Sequence, residues 1–162
     1  MQSHAARVLY FAIVCLMFGA PSFAAEKHLL LGTWSVDVSK LQQPSPPKSV
    51  TMKLEEAGEG AYHMTVDIEA SDGSKSHGES TFKPDGTAAS GTGSADVDVV
   101  SMTMPSKRIL VMGAGKGGQP TSSRVFSLSD DGKHMIETVI RHLPDGTPYT
   151  RVNTWTRISR RP

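Results

Sequence analysis

The sequence predicts an all-β protein: an antiparallel up-and-down β-barrel of about eight or nine strands, preceded by a signal peptide. Three observations predict this fold class. Short segments of alternating polar and apolar residues recur from Leu29 onward, Asp-Gly pairs separate several of them, and no window longer than about ten residues has the apolar spacing of a helix. A long open meander leaves two unpaired edge strands, which closure removes, so a barrel is preferred over a flattened sandwich.

Residues 1–24 have the pattern of a secretory signal peptide. Arg7 precedes the apolar run Val8–Phe18, and small residues lead to a cleavage site near Ala24. At 1.5 Å per residue this run covers only about half of a ~30 Å hydrocarbon layer, so we do not expect it to span a membrane. We therefore expect an exported, periplasmic or secreted protein whose single barrel domain comprises residues 25–162.

Cysteine usage and charge exclude several classes of protein. Cys15 is the only cysteine and lies in the predicted signal peptide, so the mature chain has no disulfide, thiol nucleophile or cysteine-ligated zinc. Removing Arg7 from the 17 Lys and Arg residues leaves 16, which equals the 16 Asp and Glu residues. A near-neutral chain is not expected to bind nucleic acid through long-range attraction.

The strand prediction comes from a period of two in the apolar residues. The clearest example is Tyr62–Glu69, in which every second residue is apolar. The predicted strands are Leu30–Val38, Val50–Glu55, Tyr62–Glu69, His77–Phe82, Val97–Met104, Arg108–Met112, Ser122–Leu128, Lys133–His142 and Tyr149–Ile158. Turns are predicted at the four Asp-Gly pairs: Asp72-Gly73, Asp85-Gly86, Asp131-Gly132 and Asp145-Gly146.

The segment GAGKGG, residues 113–118, matches the glycine spacing of a dinucleotide-binding loop. That loop requires a parallel strand before it and a helix after it, because the helix N-terminus binds the pyrophosphate. Here the residues after Gly118 continue as a strand, and no βαβ repeat is present. We interpret GAGKGG as a hairpin loop and predict no nucleotide and no other cofactor.

Gly32-Thr33-Trp34, at the start of the first strand, resembles the Gly-x-Trp signature of the lipocalins and the wider calycin group. In that family the tryptophan closes one end of the barrel, and an arginine near the end of the last strand packs across it. The resemblance implies a structural closure formed by Gly32, Trp34 and Arg157, with a cation–π contact worth roughly 0.5–2 kcal/mol. Stretches such as 31–40 also resemble a group of small exported bacterial proteins whose function is not established.

The predicted barrel interior is rich in methionine, which suits either a packed core or an adaptable apolar cavity. A barrel of about eight strands is filled by its side chains or holds one small ligand. The leading hypothesis is a non-catalytic exported protein that binds a small apolar or amphipathic molecule inside the barrel. The candidate ligand-binding residues are Tyr62, Met64, Val66, Phe82, Met102, Phe126 and Ile140.

Two other function classes stay open. A filled barrel could act through its polar loops, 42–48 and 113–121, as an envelope interaction or inhibitor module, and would contain no cavity larger than a few waters. A hydrolase or isomerase would need titratable groups clustered inside the barrel. We place Glu137 on the outer face with Met135 and predict no catalytic residue.

Four histidines are candidate metal ligands: His63, His77, His134 and His142. Alternation places His63 on the solvent face. His134 and His142 share a face but lie eight residues apart, about 26 Å along an extended strand. We therefore predict histidines at the surface or the barrel rim, and no metal site.

Overall fold

The computed structural model describes residues 28–41, 43–143 and 145–159. The predicted signal peptide and its cleavage site lie outside the described residues. The described residues form ten strands: β1 (Gly32–Val36), β2 (Ser49–Gly58), β3 (Ala61–Glu69), β4 (Lys75–Phe82), β5 (Asp85–Ser94), β6 (Val97–Ser106), β7 (Ile109–Lys116), β8 (Gln119–Leu128), β9 (His134–His142) and β10 (Pro148–Ser159). A single 3-10 turn, Val38–Lys40, is the only helical segment among the described residues.

The strands form a closed antiparallel barrel in the order β1-β10-β9-β8-β7-β6-β5-β4-β3-β2. Each strand pairs with its neighbours in the chain, and β1 pairs with both β2 and β10. The antiparallel barrel is confirmed, but it has ten strands rather than eight or nine. The additional strand is β5, with the sequence DGTAASGTGS. After its first residue it contains only glycine, alanine, serine and threonine, so it has no apolar alternation.

Three of the four Asp-Gly pairs lie in turns between strands as predicted, whereas Asp85-Gly86 forms the start of β5. All four glycines have positive φ, between 66° at Gly132 and 88° at Gly73. Asp72 and Asp85 each accept hydrogen bonds from the backbone N–H and the hydroxyl of the residue two positions later, as Asp85 does from Thr87 at 2.9 and 2.6 Å. These bonds hold the pKa of the Asp85 carboxyl below its usual value.

GAGKGG lies in a hairpin between β7 and β8. Its first four residues, 113–116, belong to β7, and Gly117-Gly118 form the turn before β8 begins at Gln119. The loop therefore connects two antiparallel strands, and no helix follows it. The hairpin interpretation is confirmed by this geometry.

One end of the barrel, here called the closed end, is sealed by the segment Leu29–Leu31 in front of β1. Trp34 is fully buried there, and its Nε1–H donates to the carbonyl oxygen of Leu30 at 2.9 Å. The Cζ atom of Arg157 lies 4.0 Å from the centroid of the Trp34 ring. Arg157 also donates to the carbonyl oxygens of Leu29 and Leu31, each at 2.6 Å, so the expected closure is present.

The closed end is filled with large apolar side chains. Tyr62 stacks on Phe82, with ring centroids 6.0 Å apart, and Leu110 and Leu128 are buried in the same cluster. Burial, and to a smaller degree the charge of Glu56, raises the pKa of the Tyr62 phenol. Within the described ranges no helix has the length and apolar character needed to cross a membrane.

Candidate functional site

The opposite end of the barrel, here called the open end, contains a cavity of about 360 Å³. It lies beneath the segment that runs from the 3-10 turn to β2 and crosses the end of the barrel. The residues of that segment that border the cavity are Leu41, Gln43, Ser45 and Pro47. The volume falls within the range of small-molecule sites, about 300–1,000 Å³.

A second space of about 310 Å³, here called the side compartment, adjoins the cavity. Both spaces border the same five residues: Met64, Val66, Ile68, Met112 and Arg124. The side compartment extends toward β4 and β5, where Gly78 and Gly91 leave the wall without side chains. The interior at this end is therefore not filled because two neighbouring strands present only small residues to it.

The wall at β4 and β5 depends on a close approach of two backbones. These strands are in register at Glu79 and Thr92. At Gly93, with φ of 72°, a Cβ atom would overlap the carbonyl oxygen of His77. Glycine at position 93 thus permits β5 to lie against β4 where the side compartment forms.

Most of the cavity wall is apolar. The large apolar side chains that border it are Met64, Val66, Met112, Phe126 and Trp155. Side chains of this kind bind the apolar part of a ligand without fixing its orientation. Orientation must come from polar groups in the same wall.

A buried carboxylate, Glu137 on β9, is the centre of these polar groups. Its side chain is 1% exposed and accepts three hydrogen bonds. Arg124 Nη1 donates to Oε1 at 3.1 Å, while Asn153 Nδ2 and Trp155 Nε1 donate to Oε2 at 2.7 and 3.0 Å. The ion pair with Arg124 and the two neutral donors compensate the cost of burying this charge.

Two polar atoms in the cavity wall have no partner. Asn153 is 5% exposed, and its Oδ1 accepts no hydrogen bond, although its Nδ2 is used by Glu137. Arg151 donates from Nη1 to Oε1 of Gln43 at 3.0 Å, while its buried Nε has no acceptor. Buried polar atoms are almost always paired, so this donor and this acceptor are available to a bound molecule or to water in the cavity.

Four of the seven predicted ligand-binding residues border these spaces. Met64 and Val66 border both, Phe126 borders the cavity, and Met102 borders the side compartment. Tyr62 and Phe82 instead pack at the closed end, where they stack on each other.

The interior placement of Ile140 is wrong. Ile140 is 40% exposed and Ile136 is 42% exposed, and both lie on the outer surface of β9. The outer placement of Glu137 is wrong for the same reason, because Met135, Glu137 and Val139 form the inward face. Strand β9 has apolar residues on both faces, so its alternation does not distinguish the inside from the outside.

The sequence did contain a signal for this polar cluster. Arg151, Asn153 and Trp155 share the strand face of Arg157, the residue expected to close the barrel. That spacing directs an amide and a second guanidinium into the interior. A carboxylate on the neighbouring strand is then the natural partner for these donors.

The four histidines that are candidate metal ligands lie at the surface. His63 bonds Thr81 at 2.9 Å, His77 contacts Asp67 at 2.6 Å, and His134 and His142 are exposed. The bond to Asp67 raises the pKa of the His77 imidazole. Among the described residues, no three His, Cys, Asp or Glu side chains come together as metal ligands.

Comparison with protein-family models and with curated proteins yields no match to this chain.

Proposed function

We propose that the protein is a non-catalytic binding protein that holds one small amphipathic molecule inside the open end of its barrel. The observation that carries this proposal is the cavity of about 360 Å³, with an apolar wall and convergent polar groups. This combination is typical of small-molecule sites. The side compartment provides about 310 Å³ of adjoining space for an apolar extension.

The unfilled interior favours ligand binding over the filled-barrel alternative. Packed cores contain few voids larger than a water molecule, and an interior that only stabilises the fold gains by filling them. Small residues at Gly78 and Gly91 instead keep the side compartment open. A polar interaction module acting through its loops would have no use for such a space.

The proposal extends to location and family. Residues 1–24 support export, with cleavage near Ala24, so the binding domain would act in the periplasm or outside the cell. The Gly-x-Trp motif and the contact between Trp34 and Arg157 support a lipocalin-like barrel, in which a closed end and a ligand-binding open end are expected.

A matched pair of substitutions tests ligand binding. Val66 borders both internal spaces, whereas Val152 is 56% exposed on the outside of β10. V66F adds about the same volume inside the barrel that V152F adds outside. Fluorescence titration with anilinonaphthalene sulfonate and native mass spectrometry with a panel of amphipathic molecules measure the consequence.

We expect binding by the wild-type protein and V152F, and a loss of at least about tenfold in affinity for V66F, because the added ring occupies the ligand volume. Absence of binding by the wild-type protein to every probe, or equal affinities for the two variants, would overturn the proposal. Far-UV circular dichroism shows whether V66F retains the barrel.

A further inference from the structure

We infer that the ligand is a monocarboxylate whose anionic group is bound by Arg151 and which carries a hydrogen-bond donor, such as a hydroxyl, for Asn153. This inference rests on the proposed function and names the chemical class of the ligand. It follows from the charges and unpaired atoms of the cavity wall.

Arg151 is the charge without a counterion. Its Nη1 donates to the neutral amide oxygen of Gln43, and its buried Nε has no acceptor. No Asp or Glu of the described residues forms an ion pair with it. A guanidinium presents five N–H donors in a fork that matches a carboxylate, so most of its capacity is unused.

Arg124 differs because its charge is already compensated. Its guanidinium contacts Glu137 Oε1 at 3.1 Å, and the Arg124 side chain is only 27% exposed. Counted over the described residues, the cavity wall contains two guanidiniums, Arg124 and Arg151, and one carboxylate, Glu137. The excess is a single positive charge, which a monoanion balances and a dianion such as phosphate exceeds.

A cationic ligand does not fit the same wall. Among the described residues Glu137 is the only acid bordering the cavity, and its two oxygens already accept bonds from Arg124, Asn153 and Trp155. A bound ammonium would also face the uncompensated Arg151. The positive charge of Arg151 therefore favours a bound anion at this site.

Asn153 specifies the second group of the ligand. Its Nδ2 is used by Glu137, so the side chain is held with Oδ1 free to accept. Arg151 and Asn153 lie two residues apart on the inward face of β10, about 7 Å along the strand. A hydroxyl or amide N–H within a few bonds of the carboxylate can reach this oxygen.

The apolar part of the ligand then extends along the remaining wall. Trp155 follows Asn153 on the same face of β10 and packs near Phe126, and Met64 and Val66 border the same cavity. This order, from guanidinium to amide to apolar surface, describes a short amphipathic acid that is polar at one end.

The experiment compares four probes of one chain length: 3-hydroxyoctanoate, octanoate, octanol and octylammonium. Isothermal titration gives their dissociation constants for the wild-type protein. We expect the carboxylates to bind at least about tenfold more tightly than octanol, with 3-hydroxyoctanoate the tightest, because a charge-assisted bond forms only with the anions. Octylammonium is expected to bind most weakly.

Three variants assign the effect to residues. R151Q should lower carboxylate affinity by about tenfold or more and leave octanol affinity unchanged, and R151K should restore part of the preference. N153L should remove the advantage of 3-hydroxyoctanoate over octanoate. R141Q is the matched control, because Arg141 is a guanidinium at the rim that borders neither the cavity nor the side compartment.

The outcomes separate this inference from the proposed function. If none of the four probes binds and the dye and mass-spectrometry panel is also negative, the proposed function fails. If octanol or octylammonium binds as tightly as the carboxylates, or R151Q and R141Q behave alike, the cavity is a binding site but the monocarboxylate inference is overturned. If N153L keeps the preference for the hydroxylated acid, the assignment to Asn153 is overturned.

Discussion

The closed end and the open end are built from the same strands but differ in the side chains directed inward. At the closed end Trp34, Phe82, Leu110 and Leu128 are buried in one apolar cluster. At the open end the wall includes Arg124, Glu137, Arg151 and Asn153 around a cavity of about 360 Å³.

This difference teaches that stability and binding are located in separate parts of one barrel. Apolar burial and packing at the closed end favour the folded state. At the open end a buried ion pair adds little net stability even though breaking it is costly, and unpaired polar atoms add none; such departures from good packing are expected at functional sites. Substitutions at the two ends should therefore have different consequences, and the following predictions test this from the largest effect to the smallest.

The largest loss of stability is expected from W34A. The indole is fully buried, bonds the Leu30 carbonyl and packs beneath Arg157, so its removal creates a large cavity at the closed end. We expect a decrease of about 3–5 kcal/mol in the free energy of unfolding, measured by urea denaturation. A decrease below about 1 kcal/mol would contradict the assignment of stability to this end.

Removal of the buried carboxylate of Glu137 should lower the free energy of unfolding somewhat less than W34A does. E137L leaves the charge of Arg124 and the donors of Asn153 and Trp155 without their acceptor, and we expect a loss of about 3 kcal/mol. The double variant E137L/R124L removes both charges and should recover most of that loss. If the double variant is no more stable than E137L, the ion pair does not have this role.

R157M should have a smaller effect at the closed end. It removes the cation–π contact with Trp34 and the bonds to the carbonyl oxygens of Leu29 and Leu31, while the methionine retains part of the packing. The expected loss is about 2 kcal/mol in urea denaturation. R108M at the same end is the comparison, and an equal or larger loss there would argue against a special contribution from Arg157.

R151M should leave stability nearly unchanged, within about 0.5 kcal/mol, or raise it slightly. Arg151 is a partly buried cation with one neutral partner, so an apolar side chain of similar length avoids the cost of desolvating it. A loss of 2 kcal/mol or more would show that Arg151 stabilises the fold, which contradicts the division between the two ends.

The smallest effect is expected on the outer surface, which belongs to neither end of the interior. The bond from His77 to Asp67 at 2.6 Å raises the pKa of the imidazole in the folded state. The resulting stabilisation is present in full below the pKa of the unfolded chain and is lost as the pH rises through the folded pKa. An NMR titration should give a lower His77 pKa in D67N than in wild type; equal values would contradict the contact.

The outline of the fold could be predicted because it depends on local signals. Period-two alternation and Asp-Gly turns identify nine of the strands, and the resemblance of Gly32-Thr33-Trp34 to the Gly-x-Trp signature, which implies Arg157 as the partner of Trp34, relates the first strand to the last. Strand β5 could not be predicted in this way. Its small residues have no preference for one face, and it is extended because β4 and β6 lie on either side of it.

The candidate site was predicted only in its apolar part. Met64, Val66 and Phe126 follow from alternation, whereas Glu137 was assigned to the wrong face because its strand also contains Ile136 and Ile140. A pattern of alternating apolar residues assigns carboxylates to the solvent face, so it places a buried carboxylate on the wrong side of the strand. Only the donors on β8 and β10, brought beside it by the closed sheet, make the interior favourable for that charge.

The two tryptophans offer the most direct test, because each has one indole N–H in a different end of the barrel. Trp34 Nε1 bonds the Leu30 carbonyl at the closed end, and Trp155 Nε1 bonds Glu137 beside the cavity. In an NMR titration with 3-hydroxyoctanoate, the Trp155 indole resonance should move with saturation while that of Trp34 stays in place. If neither resonance moves, or only that of Trp34 does, the open end is not the ligand site.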